Sequence, residues 1–478
     1  MELVKTQYGI ISGQFNSSHN VYSFKGVPYA APPVGKLRWR EPMAVKPWAG
    51  ILKCDHFRAS AIQADPLPNP PWTEEFMPAP GQISEDCLYL NVWTGAKKAG
   101  EKRPVIVWIH GGAFVAGSGS VPVYDGEEMA RKGVVFVTIN YRLGILGFLA
   151  HPQLSAESEH HVSGNYGILD QIAALKWVKK NIAAFGGDAD NVTIDGQSAG
   201  SCCVNTLIAS PLAKGLFKRG IAESGQFFAA NQCLTLKEAE EEGKKLMEAK
   251  HANSVTEMRK LSTDELLKDD YMRLPVVDNY LLPDQIDRIF EKGQELPADL
   301  IIGYNEGDEF VDDIISAKDY RAQIQKLYGD KAESFLKDYP GSTDQEAARS
   351  QKYLSRDKTF AWLNYKWAQL QITKGRVWYY YFDRVPPGTP RFGAFHSAEV
   401  PYSLGTLSHW NRPFTAIDAK LSSIMNNYWI NFAKTGNPNG KALPEWTLFS
   451  QSPTKVIQLG DTVKTIPLPA KPRFKWFE

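Results

Sequence analysis

The sequence predicts an α/β fold built around one large, mostly parallel, twisted β-sheet. Residues 105–109 and 134–139 are continuous apolar runs, the pattern of strands that are buried on both faces of a sheet. Between the second run and a third at 192–194 lie residues 169–182, whose apolar side chains recur at helical spacing. Strands that alternate with helices in this way are typical of a parallel sheet flanked by helices.

The N-terminal part predicts short antiparallel strands ahead of this sheet. Residues 8–11 and 21–24 are β-prone runs on either side of a polar turn. Residues 28–81 are rich in proline and predict a long irregular stretch. A loop of that length inside a compact protein is usually functional. We therefore expect its 62–80 part to wall an active site.

The second half of the chain completes the sheet and adds helices. Residues 300–302 and 377–381 predict later strands of the same sheet. Residues 234–272 and 316–372 are rich in Lys, Glu, Leu and Ala and predict helical insertions. Because neither an internal repeat nor a flexible linker separates these segments, we predict a single domain over residues 1–478.

Composition and charge exclude several classes of protein. The 478 residues are 43% hydrophobic and 22% charged, as in ordinary globular proteins. A formal net charge of +1 without a basic run argues against a nucleic acid or an anionic membrane as partner. The sequence shows neither a secretory signal, although a signal removed earlier would leave no trace, nor an apolar run of about 18 residues. Five cysteines, odd in number and without zinc-finger spacing, favour a reduced cytoplasmic protein, which we expect to be a monomer or weak dimer.

A candidate nucleophile lies in the turn that follows the third apolar run. Residues 196–200 read Gly-Gln-Ser-Ala-Gly, which places Ser198 between small residues and ahead of a helix-compatible segment. A sharp strand-to-helix turn needs small neighbours and exposes the serine hydroxyl above the sheet edge. An ordinary glycine-rich turn would have the same letters, and the flanking strand and helix favour the catalytic interpretation.

A second glycine turn follows the 105–109 run. Residues 110–114 read His-Gly-Gly-Ala-Phe, and small residues there allow backbone N–H groups to face an oxyanion. A structural glycine turn would look similar in isolation. Two such turns after two predicted strands are much less expected by chance, so the pair favours a serine hydrolase.

A serine nucleophile needs a base, and histidine is the usual one. Of the nine histidines, only His396 and His409 follow the last predicted strands. In a fold with this type of turn the chain order is serine, acid, histidine, so the base must come late. Order alone favours His396 only slightly.

Longer motifs around these residues resemble the type-B carboxylesterase family, which includes bacterial para-nitrobenzyl esterases and cholinesterases. The resemblance covers essentially the whole chain. It is carried by the serine signature from residue 185 to 200, by Glu-Asp-Cys-Leu-Tyr-Leu-Asn-Val at 85–92, and by the segments 26–35 and 140–144. It implies the α/β-hydrolase fold and a carboxylic-ester hydrolase that needs no metal or organic cofactor and acts on small-molecule esters.

The resemblance also assigns roles to individual residues. Ser198 is the expected nucleophile, and His396, within the family-like segment 395–401, is the expected base. The backbone N–H groups of Gly112, Ala113 and Ala199 are the expected oxyanion hole.

The acid of the expected triad stays open among three carboxylates in the segment 303–310. Glu309 keeps the family's Asp-Glu pair if one residue is inserted, and we favour it. Asp308 fits without a gap but changes the residue type, whereas Glu306 needs a deletion.

The sequence departs from the family at two positions. Residue 197 is glutamine where the family usually has glutamate, which removes a charge next to Ser198. Cys87 has an upstream disulfide partner in many relatives, but Cys54 lies elsewhere in this chain, so we predict that Cys87 is unpaired.

The resemblance leaves the substrate open. Aryl or feruloyl esters, amides and carbamates can use the same machinery, and a non-catalytic binding protein of the same fold is a further alternative. Phe227, Phe228 and the aromatic segment 360–367 are candidates for lining the site, although aromatic residues at helical spacing more often belong to a core.

Overall fold

The computed structural model describes residues 2–65, 67–79, 83–229, 233–268, 273–311, 313–388 and 390–478. Within these residues, fourteen strands form a sheet of three strands and a sheet of eleven. The strands are β1 (Leu3–Lys5), β2 (Ile10–Ser12), β3 (Gln14–Asn16), β4 (Val21–Pro28), β5 (Ile51–Lys53), β6 (Tyr89–Thr94), β7 (Arg103–Ile109), β8 (Val135–Ile139), β9 (Gly187–Gln197), β10 (Arg219–Glu223), β11 (Asp299–Asn305), β12 (Val377–Phe382), β13 (Lys455–Leu459) and β14 (Val463–Pro467).

The large sheet has a parallel centre and antiparallel edges. Its order is β14-β13-β12-β11-β10-β9-β7-β8-β6-β4-β3. The seven strands from β13 to β8 are parallel to their neighbours, whereas β14, β6, β4 and β3 pair antiparallel. The predicted α/β-hydrolase fold with a large, mostly parallel sheet is confirmed.

Helices follow the strands and cover the sheet. They are α1 (Glu127–Arg131), α2 (Gly144–Phe148), α3 (Pro152–Glu157), α4 (Tyr166–Asn181), α5 (Ala199–Ala209), α6 (Leu236–Ala249), α7 (Val255–Met258), α8 (Thr263–Leu267), α9 (Ile286–Glu291), α10 (Ala317–Tyr328), α11 (Ala332–Asp338), α12 (Asp344–Arg356), α13 (Trp362–Gln371), α14 (Val400–Leu404) and α15 (Ala416–Thr435). A π-helical turn at Asp357–Ala361 joins α12 to α13. Both predicted insertions, 234–272 and 316–372, contain helices in their described parts.

Alternate residues of each central strand enter the cores on opposite faces of the sheet. In β7, Val105, Val107 and Ile109 belong to one apolar core, and Ile106 and Trp108 belong to the other. All five side chains are fully buried. This explains the continuous apolar run, because a strand between two cores has no polar face. The strands are packed between two cores, and the loops at their ends carry the site.

The N-terminal strands and the proline-rich stretch differ in part from the prediction. The runs at 8–11 and 21–24 do not pair with each other: β2 joins the small sheet, and β4 joins the edge of the large one. In its described residues the stretch 28–81 is mostly irregular, but β5 lies within it.

Strand β10 was not predicted. It runs beside β9 in the centre of the sheet, yet it begins with Arg219 and Gly220 and ends with Glu223, so it has no continuous apolar run. Its last residue, Glu223, is buried.

The five cysteines are free, which confirms the prediction for Cys87. Cys54 and Cys87 are both buried, and burial raises the pKa of each thiol, to about 12 for Cys54. Among the helices in the described parts of the chain, none is both long and apolar enough to cross a bilayer. The single domain, the cytoplasmic location and the oligomeric state stay predictions.

Candidate active site

Ser198 occupies a strained turn between β9 and α5. Its backbone has φ 57° and ψ −123°, a conformation that residues other than glycine rarely adopt. A Cβ atom added to Gly200 would lie 2.0 Å from the carbonyl oxygen of Ile109, and one added to Gly196 would lie 2.6 Å from the Gly200 carbonyl. Both flanking residues must therefore be glycine. The Ser198 N–H donates to the carbonyl of Glu223 at 2.8 Å, which ties the turn to β10.

The second glycine turn lies directly against this serine. A Cβ on Gly111 would approach the Cβ of Ser198 to 3.1 Å. Gly112, Ala113 and Phe114 all have positive φ, so three successive peptide groups turn sharply away from β7. Gly112 and Ala113 are exposed, and Ala199 is the first residue of α5, whose N–H has no acceptor within the helix. The three predicted donors therefore lie on the two turns that meet at Ser198.

Side chains behind the second turn fix its shape. The ring of His110 stacks on Tyr141 with centroids 4.4 Å apart, and the Tyr141 hydroxyl donates to the His110 carbonyl at 2.9 Å. Burial lowers the pKa of His110 to about 4, so this histidine is uncharged at neutral pH. The side-chain amide of Gln63 exchanges two hydrogen bonds of 2.9 Å with the backbone of Gly117. His110 is thus a structural residue of the turn.

His396 also lies at this edge of the sheet, with its ring held by a carboxylate. Its Nδ1 lies 2.6 Å from Oδ1 of Asp308, and both side chains are buried. The other oxygen of Asp308 accepts hydrogen bonds of 2.7 Å from the Ser224 hydroxyl and the Asn305 backbone N–H. A proton on Nδ1, donated to Asp308, leaves Nε2 free to accept one.

The carboxylate behind His396 is Asp308, which corrects the expectation for Glu309. Glu309 accepts a hydrogen bond from Lys352 Nζ at 2.8 Å and faces α12. Glu306, the third candidate, lies 3.7 Å from Arg356. The ungapped alternative is the one that the geometry supports. Asp308 stands where the family has glutamate. Its Oδ1 lies 2.6 Å from Nδ1 of His396, so the shorter side chain still reaches the histidine.

Gln197 joins the nucleophile turn to the histidine. Its Nε2 lies 3.2 Å from Nε2 of His396, and its side chain is buried. With Nδ1 protonated, the amide N–H donates to the imidazole lone pair. This places Nε2 of His396 next to the residue that precedes Ser198, and it leaves a neutral group where a carboxylate would otherwise lie.

The segment that carries His396 is held from two sides. Trp72 Nε1 donates to the His396 carbonyl at 3.1 Å and to the Ser397 hydroxyl at 2.7 Å. On the other side, the Asn305 side chain donates to the Phe395 carbonyl at 2.9 Å and to Glu399. The described part of the 62–80 stretch thus supports the site through Trp72; residues 66 and 80 lie outside the described residues.

The predicted aromatic candidates divide between the site and the core. The ring of Phe360 lies 5.3 Å from the His396 ring, and Phe310, which was not among the candidates, lies 5.1 Å from it. Phe227 stacks on Phe114 of the second turn at 6.1 Å. In contrast, Trp367 and Tyr365 are buried in the core. The helical spacing of these aromatic residues in the sequence does not show which of them lie near the site and which lie in the core.

The sequence did not reveal the residues that support the acid and the histidine: Ser224, Asn305 and Trp72. Ser224 has φ 53° and directly follows β10. A Cβ on Gly225 would lie 2.2 Å from the Ser198 carbonyl. The run 223–225, Glu-Ser-Gly, was the available signal, since it is a third small-residue turn after a strand.

Three carboxyl groups lie buried beneath the site: Asp195 on β9, Glu223 on β10 and Glu399 near His396. Those of Asp195 and Glu223 are within hydrogen-bonding reach of each other. Trp429 Nε1 donates to Glu223 at 2.8 Å, and Asn305 donates to Glu399. Burial raises the pKa of all three carboxyls well above the usual range. Asp195 and Glu223 each raise the cost of ionising the other, because the two carboxyls are close together and buried.

Asp195→Asn should stabilise the protein at alkaline pH. A raised folded-state pKa means that the unfolded chain loses protons above about pH 4 that the folded chain keeps, so stability falls as pH rises. Each unit of raised pKa costs about 1.4 kcal/mol in that range. We expect the free energy of unfolding to rise by about 1–3 kcal/mol at pH 8 and by less at pH 5, measured by urea unfolding. The control is Asp190→Asn, an exposed residue of the same strand, which should change both values little. An equal loss of stability at both pH values would contradict the assignment.

Among the residues that the structure describes, no group of three or more His, Cys, Asp or Glu side chains is arranged to hold a metal ion. The polar groups at the sheet edge are instead a hydroxyl, an imidazole, a carboxylate and backbone N–H groups. These are the groups of nucleophilic acyl-transfer chemistry.

The central parallel sheet, the nucleophile turn after β9 and the histidine after β12 define an α/β-hydrolase. The chain belongs to the carboxylesterase family, whose sequence model matches residues 1–474. It is similar to the fumonisin B1 esterase of Sphingopyxis macrogoltabida, with 36% identity over 93% of this chain and 84% of the relative. It is 35% identical to the para-nitrobenzyl esterase of Bacillus subtilis (strain 168), over 97% and 95% of the two chains. It is 34% identical to the human cocaine esterase, over 90% and 82%. The family match together with these relatives named as esterases identifies the chain as a carboxylic-ester hydrolase.

Proposed function

We propose that Ser198, His396 and Asp308 form a catalytic triad that cleaves small-molecule carboxylic esters through an acyl-enzyme. One observation carries the proposal. His396 bridges the buried carboxylate of Asp308, 2.6 Å from Nδ1, and the nucleophile turn, where Gln197 lies 3.2 Å from Nε2. This is the order of acid, base and nucleophile that general-base activation of a serine requires.

In the first half-reaction, the Ser198 hydroxyl attacks the ester carbonyl carbon while its proton moves to Nε2 of His396. The carbonyl oxygen becomes an oxyanion that accepts hydrogen bonds from the N–H groups of Gly112, Ala113 and Ala199. Asp308 accepts the Nδ1–H bond and stabilises the imidazolium. When the tetrahedral intermediate collapses, the bond to the alcohol oxygen breaks, and that oxygen takes the proton from Nε2.

In the second half-reaction, water replaces the alcohol. It transfers a proton to Nε2 and attacks the acyl carbon, and the same three N–H groups hold the second oxyanion. The bond to Ser198 then breaks, the serine recovers its proton, and the carboxylic acid leaves. The proton taken from Ser198 leaves with the alcohol and the proton taken from water restores Ser198, so the cycle balances with the ester and water as reactants.

Gln197 has a specific consequence for this cycle. Its N–H occupies the lone pair of His396 Nε2 in the free site, so the Ser198 proton can be accepted only when this weak 3.2 Å contact opens. As a neutral side chain, it adds no negative charge beside the ester.

An acyl-enzyme predicts a burst in the first turnover. Rapid mixing of the protein with para-nitrophenyl acetate should release about one equivalent of nitrophenol per chain before the steady state, provided that water attack is the slower half-reaction. A stable phosphonate ester that reacts with activated serines should abolish the burst and modify Ser198 on mass spectrometry. Hydrolysis without covalent labelling of Ser198 would contradict the acyl-enzyme.

A further inference from the structure

Arg356, the last residue of α12, is a buried cation that belongs neither to the proposed triad nor to the oxyanion turns. It is 2% exposed. Its Nε and Nη2 donate to one oxygen of Asp357 at 2.9 and 2.7 Å, and its Nη1 donates to the backbone carbonyl of Glu306 at 3.1 Å. The donors of a guanidinium form a rigid planar fork, so this one side chain holds both partners in a fixed arrangement.

The contact with Glu306 leads to the proposed acid, because Glu306 lies two residues before Asp308. The Glu306 N–H donates to the Phe382 carbonyl at 2.8 Å, and the next backbone N–H donates to the Ala394 carbonyl at 3.0 Å. The peptide group after Glu306 is therefore held at both ends, by Arg356 at its carbonyl and by the 394 carbonyl at its N–H. This fixes the course of the backbone from which the Asp308 side chain projects.

The contact with Asp357 leads to the proposed base. Asp357 is the first residue of the π-helical turn Asp357–Ala361, and Phe360 in the same turn lies 5.3 Å from the His396 ring. Turns of this type are rare and are often found at functional sites. Arg356 thus connects the segment that carries the acid with the turn that packs on the base.

A second arginine shares the carboxylate of Asp357 but takes no part in this connection. The other oxygen of Asp357 accepts hydrogen bonds from Arg473 Nε at 2.5 Å and from the Tyr339 hydroxyl at 3.0 Å. Arg473 lies in the C-terminal turn Lys471–Trp476. Within the described residues it makes no hydrogen bond to the segment 305–308. Of the two arginines, Arg356 alone reaches the acid segment.

We propose that Arg356 is a positioning residue for the reaction, which holds Asp308 in line with His396 through the backbone of Glu306. This inference rests on the proposed function, since Arg356 acts through the proposed acid. Displacement of a reacting group by about 1 Å can lower a rate by about 100-fold. Because Arg356 is bonded to the protein and not to the substrate, the effect belongs to kcat.

Arg356→Lys tests the proposal, because lysine keeps the charge and lacks the fork that spans Asp357 and the Glu306 carbonyl. For para-nitrophenyl acetate we expect kcat to fall by about 10–100-fold and KM to change by less than about threefold. Arg356→Gln should show the same division between kcat and KM. It leaves Asp357 with the donors of Arg473 and Tyr339, so it serves where the lysine variant does not fold, as a urea unfolding curve of each sample shows.

Arg473→Lys is the matched control, since the same change is made at the other arginine on the same carboxylate. It should lower the free energy of unfolding as Arg356→Lys does, because both weaken a buried ion pair with Asp357. Its kcat should stay within about threefold of the unaltered protein. Equal losses of kcat in the two lysine variants, or an unaltered kcat in both Arg356 variants, would overturn the proposal.

A double variant tests whether Arg356 acts through the acid. Residues that act as one unit have non-additive effects, so Arg356→Lys should lower kcat by less than about threefold when it is added to Asp308→Asn. A further loss as large as in the unaltered background would contradict action through Asp308. If Asp308→Asn alone keeps full activity, the proposed function fails and this inference fails with it. If Asp308→Asn loses activity and the Arg356 variants do not, only the role of Arg356 is wrong.

Discussion

Ser198→Ala should lower kcat for para-nitrophenyl acetate by about 10⁵–10⁶-fold, because the proposed reaction has no second nucleophile. The side chain is only partly buried and has a strained backbone. Alanine keeps the Cβ and removes one oxygen, so the turn should keep its shape. The residual rate should reflect binding and the oxyanion hole alone. The measurement is steady-state hydrolysis with an unfolding curve of the same sample.

The matched control for this prediction is Ser408→Ala, which removes a hydroxyl from an exposed residue outside the site. It should keep full activity. Retention of more than a few per cent of activity by Ser198→Ala, with an unaltered unfolding curve, would exclude Ser198 as the nucleophile.

Asp308→Asn should lower kcat by about 10⁴-fold, although it is nearly isosteric. The amide cannot stabilise the imidazolium, and its N–H group favours the tautomer of His396 in which Nε2 carries the proton. That tautomer has no lone pair to take the proton of Ser198. The loss should appear in kcat more than in KM, because the substrate touches Ser198 and the oxyanion donors and not Asp308.

Glu309→Gln and Glu306→Gln are the controls, since the same chemical change is made one and two residues away. Glu309 contacts Lys352, and Glu306 lies near Arg356, so each should change kcat by less than about threefold. A loss at Glu309 as large as that at Asp308, or equal mild losses at all three positions, would show that the acid is not Asp308.

The sequence could not decide which carboxylate is the acid of the proposed triad. Its three candidates lie within four residues, and each has a reasonable alignment to the family pattern. The contact that separates them joins residues 308 and 396, which are 88 positions apart in sequence. Only the course of the loop after β11 decides which carboxylate faces the imidazole, and that course depends on Asn305 and Ser224, which also hold Asp308.

The missed strand β10 has a related cause. Apolar periodicity identifies a strand when its neighbours in space are apolar. Glu223 is buried among other carboxyls and Trp429, so its polarity reflects distant residues that no local window contains. In contrast, β7, β8 and β12 lie between apolar cores and were found from their runs alone.

The sequence by itself predicted the central strands other than β10 and the two glycine turns, and with the family resemblance it indicated Ser198 and His396 as the proposed nucleophile and base. These features are local, because the strain of a tight turn requires glycine at adjacent positions and a doubly buried strand requires an unbroken apolar run. Only the tertiary structure placed Asp308 beside His396, brought the buried carboxyl groups together and put Gln197 in contact with His396. Each of these depends on the distance between side chains from separate strands and loops, which the packing of the two cores against the sheet sets.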